Sequence, residues 1–245
     1  MAEQMTLDQV RIKERQNSGT SITGHEEFDA KGYLIVKNLW DVEELLREVP
    51  APNLRGQISY WSNSDEYDHS PLENQVEGSL AVYGHPQYRY IHSGIRLKLE
   101  KIIGKKLYNT YYYDRFYFVG QGLTVHSDRD ACEISVSVHI STNLEERWPL
   151  WIKTPDIYDG SEIAQLGENH GVCLKPGDGM IYKGCERPHW RDPLPSRNVG
   201  NYYTEEVDLL EDTFYHQVFF HYVLADGLRV QYANDMSKGD TLHMQ

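Results

Sequence analysis

Apolar positions along this chain mostly recur with a period of two. Cys132, Ile134, Val136, Val138 and Ile140 alternate with Glu133, Ser135, Ser137 and His139, which predicts a strand with one apolar face. The aromatic and β-branched runs Tyr111-Tyr112-Tyr113 and Phe116-Tyr117-Phe118-Val119 predict strands that lead into the turn Gly120-Gln121-Gly122. Trp148 to Ile152, Gly171 to Leu174, Met180 to Tyr182 and Gln217 to Val223 read the same way, with the turn Lys175-Pro176-Gly177-Asp178-Gly179 inside the set.

Helical periodicity is rarer. Ile91, Ile95, Leu97, Leu99, Ile102 and Ile103 recur at helical spacing and Gly104 suits the residue after the helix. Near the start, the strand-like run Gly32 to Val36 precedes Asp41, a helix N-cap candidate followed by Glu43 and Glu44. Many short strands with Gly and Pro turns and few helices predict a mainly β fold with flanking helices, a sandwich or jelly roll. Residues 1–24 lack periodicity and read as a loose N-terminal arm, with 25–245 as one domain ordered from Phe28.

A net charge of −13 repels phosphate backbones and anionic membranes, so no nucleic-acid partner is expected. Neither a secretory segment nor a run of about 20 apolar residues is present, and the expected location is cytoplasmic. Cys132, Cys173 and Cys185 form an odd set without Cys-x-x-Cys spacing, read as small buried thiols in a reducing compartment.

The chemistry concentrates in His126-Ser127-Asp128 and in His189, about sixty residues later. In extended chain, residues i and i+2 point the same way, so His126 and Asp128 offer an imidazole and a carboxylate to one ion. With His189 as third ligand, the set leaves coordination positions open, as in non-heme Fe(II) oxygenases. A His-x-Asp tripeptide is common by chance, and hydrogen-bonded structural residues fit the same pattern.

Five segments carry a more specific signal. Phe28-Asp29-Ala30-Lys31-Gly32-Tyr33-Leu34-Ile35-Val36, Gly120 to Arg129, Cys132-Glu133-Ile134-Ser135, Pro176-Gly177-Asp178 and Gly184-Cys185-Glu186-Arg187-Pro188-His189-Trp190-Arg191 together resemble the Fe(II)/2-oxoglutarate-dependent dioxygenases. The likeness is to their prolyl-hydroxylase-like microbial and phage branch, from about residue 28 to 224. It implies a double-stranded β-helix in which His126, Asp128 and His189 hold Fe(II). It also implies that 2-oxoglutarate and O2 serve as cosubstrates, with succinate and CO2 released as a substrate is hydroxylated. A carboxylate at Asp128 argues against halogenation, because halogenating relatives carry a small residue there.

The resemblance also requires a cation for the distal carboxylate of 2-oxoglutarate, usually on a late core strand. Gln217 to Val223 contains neither Arg nor Lys. Arg191 is the first candidate, ahead of Arg197, Arg115 and Arg129, against the plainer reading of a surface arginine paired with Asp192 or Glu186. Tyr111 and Tyr113 share a strand face and are candidates to bond the cosubstrate, although packing is the ordinary role of strand tyrosines. His139 and His221 read as satisfied structural histidines.

The polar stretches 53–75 and 195–215 are candidate lids, and their acidic residues would suit a cationic substrate. The expected substrate is a small metabolite, an amino acid or a peptidyl residue. Two alternatives use the same fold: a cupin-like metal isomerase or lyase, and a binding module with a vestigial metal site.

Overall fold

The computed structural model describes residues 20–50, 60–62, 75–76, 79–197 and 213–235. Among the described residues three α-helices, α1 (Glu26–Lys31), α2 (Val42–Leu45) and α3 (Arg89–Ile103), accompany thirteen strands. The strands are β1 (Tyr33–Val36), β2 (Tyr60–Ser62), β3 (Leu80–Tyr83), β4 (Leu107–Phe118), β5 (Leu123–His126), β6 (Ile134–Thr142) and β7 (Leu150–Lys153), then β8 (Ile157–Asp159), β9 (Glu162–Gln165), β10 (Asn169–Val172), β11 (Gly179–Tyr182), β12 (His189–Arg191) and β13 (Phe214–Leu224).

Seven strands form a large sheet in the order β1-β11-β6-β13-β4-β3-β2, and four form a small one, β10-β7-β12-β5. From β4 to β13 the chain crosses repeatedly between the two sheets, with β4, β6, β11 and β13 in the large one and β5, β7, β10 and β12 in the small one, which makes the fold a double-stranded β-helix, the jelly roll expected from the strand pattern. Cross-sheet packing of Leu150 and Ile152 against Met180 and Tyr182 closes one side. The exposed hairpin β8-β9 stands apart as its own two-stranded sheet.

The outer face of the large sheet is the apolar core. Ile91, Ile95, Leu99 and Ile103 of α3 pack with Ile134, Val136, Val138 and Ile140 of β6 and Val218, Phe220 and Tyr222 of β13. Each fully buried side chain of that α3 face contributes about 1.5–3 kcal/mol. Gly104 ends α3 at φ 70°, a left-handed conformation that glycine adopts without penalty. Asp41 caps α2 by accepting from the Glu43 N–H. Among the described residues no helix is long and apolar enough to cross a membrane.

Several expectations change in detail. The two aromatic runs form one twelve-residue strand, β4. The Lys175 to Gly179 turn does not close a hairpin, since β10 and β11 lie in different sheets. β6 does alternate, but Ser135, Ser137 and His139 are as buried as the apolar residues between them. Their face looks into the buried space between the two sheets rather than to solvent. Residues 20–24 of the expected arm are bonded to the domain: Ser21 and Thr23 are buried, and the Ser21 carbonyl accepts from the Lys183 ammonium at 2.6 Å.

Candidate metal centre

β5 and β12 pair in the small sheet with His126 directly opposite His189. Their ring centroids are 4.3 Å apart. Asp128 lies two residues beyond the end of β5, where its N–H donates to the Gly184 carbonyl at 2.9 Å. The pairing thus comes from a strand end and a tethered turn, not from one continuous strand. The donor atoms of His126, Asp128 and His189 all lie within 4.8 Å of one another. Asp128 Oδ1 is 3.4 Å from His126 Nε2 and 3.5 Å from His189 Nε2.

Both imidazoles are oriented by the backbone. His126 Nδ1 donates to the Thr124 carbonyl and His189 Nδ1 to the Arg187 carbonyl, each at 2.9 Å. A carbonyl only accepts, so each Nδ1 carries a hydrogen, and Nε2 of each ring is the atom that faces Asp128 and is available to a metal. Burial, with His189 beside it, pushes His126 below the ordinary histidine value and keeps it neutral. Burial opposes charge on Asp128, but the facing His189 and His126 outweigh it and hold the carboxyl well below its usual range. Two imidazole nitrogens and one carboxylate around a point constitute a donor set for a divalent transition metal.

The carboxylate has its own support. Ser135 Oγ donates to Asp128 Oδ2 at 3.1 Å and lies 2.9 Å from His221 Nδ1. With the serine hydrogen committed to Asp128, His221 Nδ1–H donates to Ser135, and His221 Nε2 is left facing the interior. Burial lowers His221 to about 4, so it too is neutral.

The chamber beside the metal centre is polar and incompletely bonded. Ser137 Oγ, His139 Nε2, Arg191 Nε, Gln217 Nε2 and His221 Nε2 are buried with no hydrogen-bond partner among the described residues. A buried unsatisfied polar group costs about 1–3 kcal/mol, and these five stand on β6, β12 and β13, where a bound ligand could satisfy them. His139 and His221 are therefore half satisfied, rather than the fully bonded histidines expected from the sequence.

Arg191 is not a surface residue. It is 3% exposed, donates to the Trp148 carbonyl at 3.0 Å and to Gln217 Oε1 at 2.5 Å, and lies over the Trp148 and Tyr215 rings. Asp192, its expected ion partner, instead accepts from the Trp151 indole at 2.8 Å. Among the other arginines, Arg197 is exposed and Arg129 pairs with Asp235 at 2.7 Å. Arg115 is completely buried on the inner face of β4.

Tyr111 and Tyr113 both face the chamber, while Tyr112 packs into the core beneath the helices. The Tyr111 hydroxyl lies 3.2 Å from Cys132 Sγ and its ring stacks on His221 at 4.5 Å. Ser135 and Ser137 were absent from the expected site. Their period-two positions placed them on an inner face, but nothing local distinguishes an enclosed chamber from solvent. The candidate lids fall largely outside the described residues; within 53–75 only the short strand β2 and Gln75 are described.

No protein-family profile matches the chain, and no curated protein does. Solved structures do. The epimerase SnoN from nogalamycin biosynthesis, described as non-heme and alpha ketoglutarate dependent, is 14% identical with a TM-score of 0.51, covering 81% of this chain and 80% of its own. AviO1 from Streptomyces viridochromogenes Tue57 is 14% identical with a TM-score of 0.50, covering 83% of this chain and 96% of its own. A Pseudomonas putida prolyl-4-hydroxylase is also 14% identical, with a TM-score of 0.47 over 80% of this chain and 95% of its own. At these identities the likeness to SnoN and AviO1 establishes the fold.

Proposed function

We propose that this chain is an Fe(II)- and 2-oxoglutarate-dependent oxygenase that hydroxylates a small-molecule or peptidyl substrate. The observation that carries the reading is the metal centre itself: two imidazoles fixed by Nδ1–H bonds to Thr124 and Arg187, with Asp128 between their Nε2 atoms. A resident Fe(II) with 2-oxoglutarate and O2 supplies the oxidising chemistry, with succinate and CO2 as coproducts.

The chain's own residues orient and enclose. His126, Asp128 and His189 would hold the metal, and three protein ligands would leave it positions for exchangeable ligands. Ser135 fixes the Asp128 carboxylate, and His221 orients Ser135. Arg191 offers an unused Nε–H beside the Nε2–H2 of Gln217 and the Ser137 hydroxyl, donors that suit the distal carboxylate of 2-oxoglutarate. Gln217 lies on β13, where the resemblance calls for a cation; Arg191 reaches across from β12 to the same place. Tyr113 faces the chamber as a wall, and Tyr111 stays a neutral phenol because burial, with Cys132 beside it, raises it well above the ordinary tyrosine value.

This donor-rich cradle favours a carboxylate-bearing cosubstrate over a cupin-like lyase needing the metal alone, or a vestigial site. Residues 25–245 act as one catalytic domain in this reading, with neither nucleic acid nor membrane as partner and a cytoplasmic location. The test is an anaerobic titration with Fe(II) and 2-oxoglutarate, in which a visible charge-transfer band requires both on one metal. In air, succinate should form, and a product heavier by one oxygen separates hydroxylation from epimerisation. No band and no succinate across a broad substrate panel would overturn the proposal.

A further inference from the structure

Asp128 turns its two carboxylate oxygens to different neighbours. Oδ1 faces the Nε2 atoms of His126 and His189, at 3.4 Å and 3.5 Å. Oδ2 accepts from Ser135 Oγ at 3.1 Å, on the side where a Cβ added at Gly184 would meet Oδ2, Ser135 Oγ and the Cys132 carbonyl together. On that second side stands a different trio. Donor atoms of Asp128, Cys132 and His221 also all lie within 4.8 Å of one another. The proposed iron centre uses only the first of these three residues.

The other two are held as metal ligands are held. His221 is 2% exposed; its Nδ1 lies 2.9 Å from Ser135 Oγ, and its Nε2 is buried with no hydrogen-bond partner among the described residues. A ligating histidine ordinarily donates one ring N–H to a neighbour and gives the other nitrogen to the ion, so Nε2 is the nitrogen left to bind. A buried ring nitrogen without a partner is a standing cost that a bound ion removes. Cys132 is completely buried, with its Sγ 3.2 Å from the Tyr111 hydroxyl. Sulfur ligates as the thiolate, so an entering ion releases the Cys132 proton, and the phenol is then the donor that supports the charge on sulfur. The Tyr111 ring also stacks on His221 with centroids 4.5 Å apart, so one tyrosine braces both side chains.

We propose a second metal site at Asp128, Cys132 and His221 that takes a thiophilic divalent ion of the Zn2+ class, with Asp128 bridging it to the first centre. Thiolate selects zinc-like ions, whereas two imidazoles and a carboxylate suit non-heme Fe(II), so the two sites differ in the ion they favour. The second site stands whichever cosubstrate the first one uses.

Co2+ is the probe, because it enters zinc-type sites and gives a near-ultraviolet charge-transfer band when bonded to thiolate. It is titrated into full-length, metal-free, fully reduced protein while bound metal is counted by elemental analysis. The wild type should take up an ion beyond the first centre and develop the thiolate band. Cys132→Ser should lose both, Cys173→Ser, at an exposed position, should keep both, and His221→Gln should lose the band. His189→Ala, which disables the first centre, should keep it. If Cys132→Ser does not fold, the double variant Cys173→Ser with Cys185→Ser leaves Cys132 as the one thiol and should retain the band. In Zn2+-loaded wild type, X-ray absorption at the zinc edge should show a sulfur neighbour at about 2.3 Å. Cobalt bound without a thiolate band, together with zinc bound without a sulfur neighbour, overturns the proposal and leaves the first centre as the metal site. A band that survives in Cys132→Ser, or that disappears from the double variant, overturns it by placing the sulfur on another cysteine. A band unchanged in His221→Gln overturns it as well, by showing that the thiolate binds metal without the trio.

Discussion

Replacing Gly184 by alanine tests the geometry of the candidate metal centre without touching a proposed ligand. The backbone at Gly184 is outside the left-handed region, so the residue is not there for its φ. It is there for space. A Cβ at this position would lie 2.6 Å from the Cys132 carbonyl oxygen and closer still to Ser135 Oγ and Asp128 Oδ2. Ordinary contacts of this kind are at 3.4–4 Å, so something must shift. The Cys132 carbonyl is backbone, and Ser135 is on a central strand, which leaves the Asp128 carboxylate as the group that gives way. Overpacking of this kind costs about 1–3 kcal/mol, a fall in melting temperature of about 2–12 °C for a chain of this size. Disturbing the support of a metal-binding carboxylate lowers metal affinity by about 10–100-fold. Calorimetric titration with Fe(II) under nitrogen and a thermal melt of the metal-free protein read the two effects separately. Wild-type affinity with a wild-type melt would refute the reasoning, because it would show that Asp128 is not held against Gly184.

Three further outcomes are expected. Arg191→Ala should raise the 2-oxoglutarate concentration needed to develop the charge-transfer band by about tenfold or more, with Arg191→Lys intermediate; an unchanged requirement removes Arg191 from the cosubstrate site. Saturating Fe(II) at about 100 times its dissociation constant should stabilise the fold by about 2.7 kcal/mol, and Asp128→Ala should erase that gain in the same melt. Burial holds His92 at about 3 and His139 at about 4 in the folded chain, against 6.5 as the ordinary value. Since the folded values are depressed, their contribution is fully present above pH 6.5 and is lost as pH falls toward pH 4 and then pH 3. The slope is about 1.4 kcal/mol per pH unit for each histidine. Denaturant melts from pH 7 to pH 4 should show this decline, and His92→Gln should flatten it; parallel curves would show that His92 is not buried as a neutral group.

Much of the fold was legible because it depends on local pattern. The period-two run from Cys132 to Ile140 became β6, the helical spacing from Ile91 to Ile103 became α3, and the cap residues Asp41 and Gly104 stand where their chemistry puts them. The strand carrying His189 was missed, because β12 is only three residues long and owes its existence to pairing with β5 and β7. The hairpin β8-β9 was missed as well; its residues are all exposed, so no burial pattern marks it.

At the site the division is sharper. Residue type and spacing by themselves determined that His126, Asp128 and His189 are a possible ligand set, since donor chemistry belongs to the side chains and His126 and Asp128 are two residues apart. Only the tertiary structure decided that His189 stands opposite His126, that backbone carbonyls fix both imidazoles, and that Arg191 is buried beside Gln217 rather than paired at the surface. It also decided that the polar face of β6 looks into a chamber. Alternation shows that a strand has two faces, but which of them is enclosed depends on a second sheet whose strands lie far away in the chain.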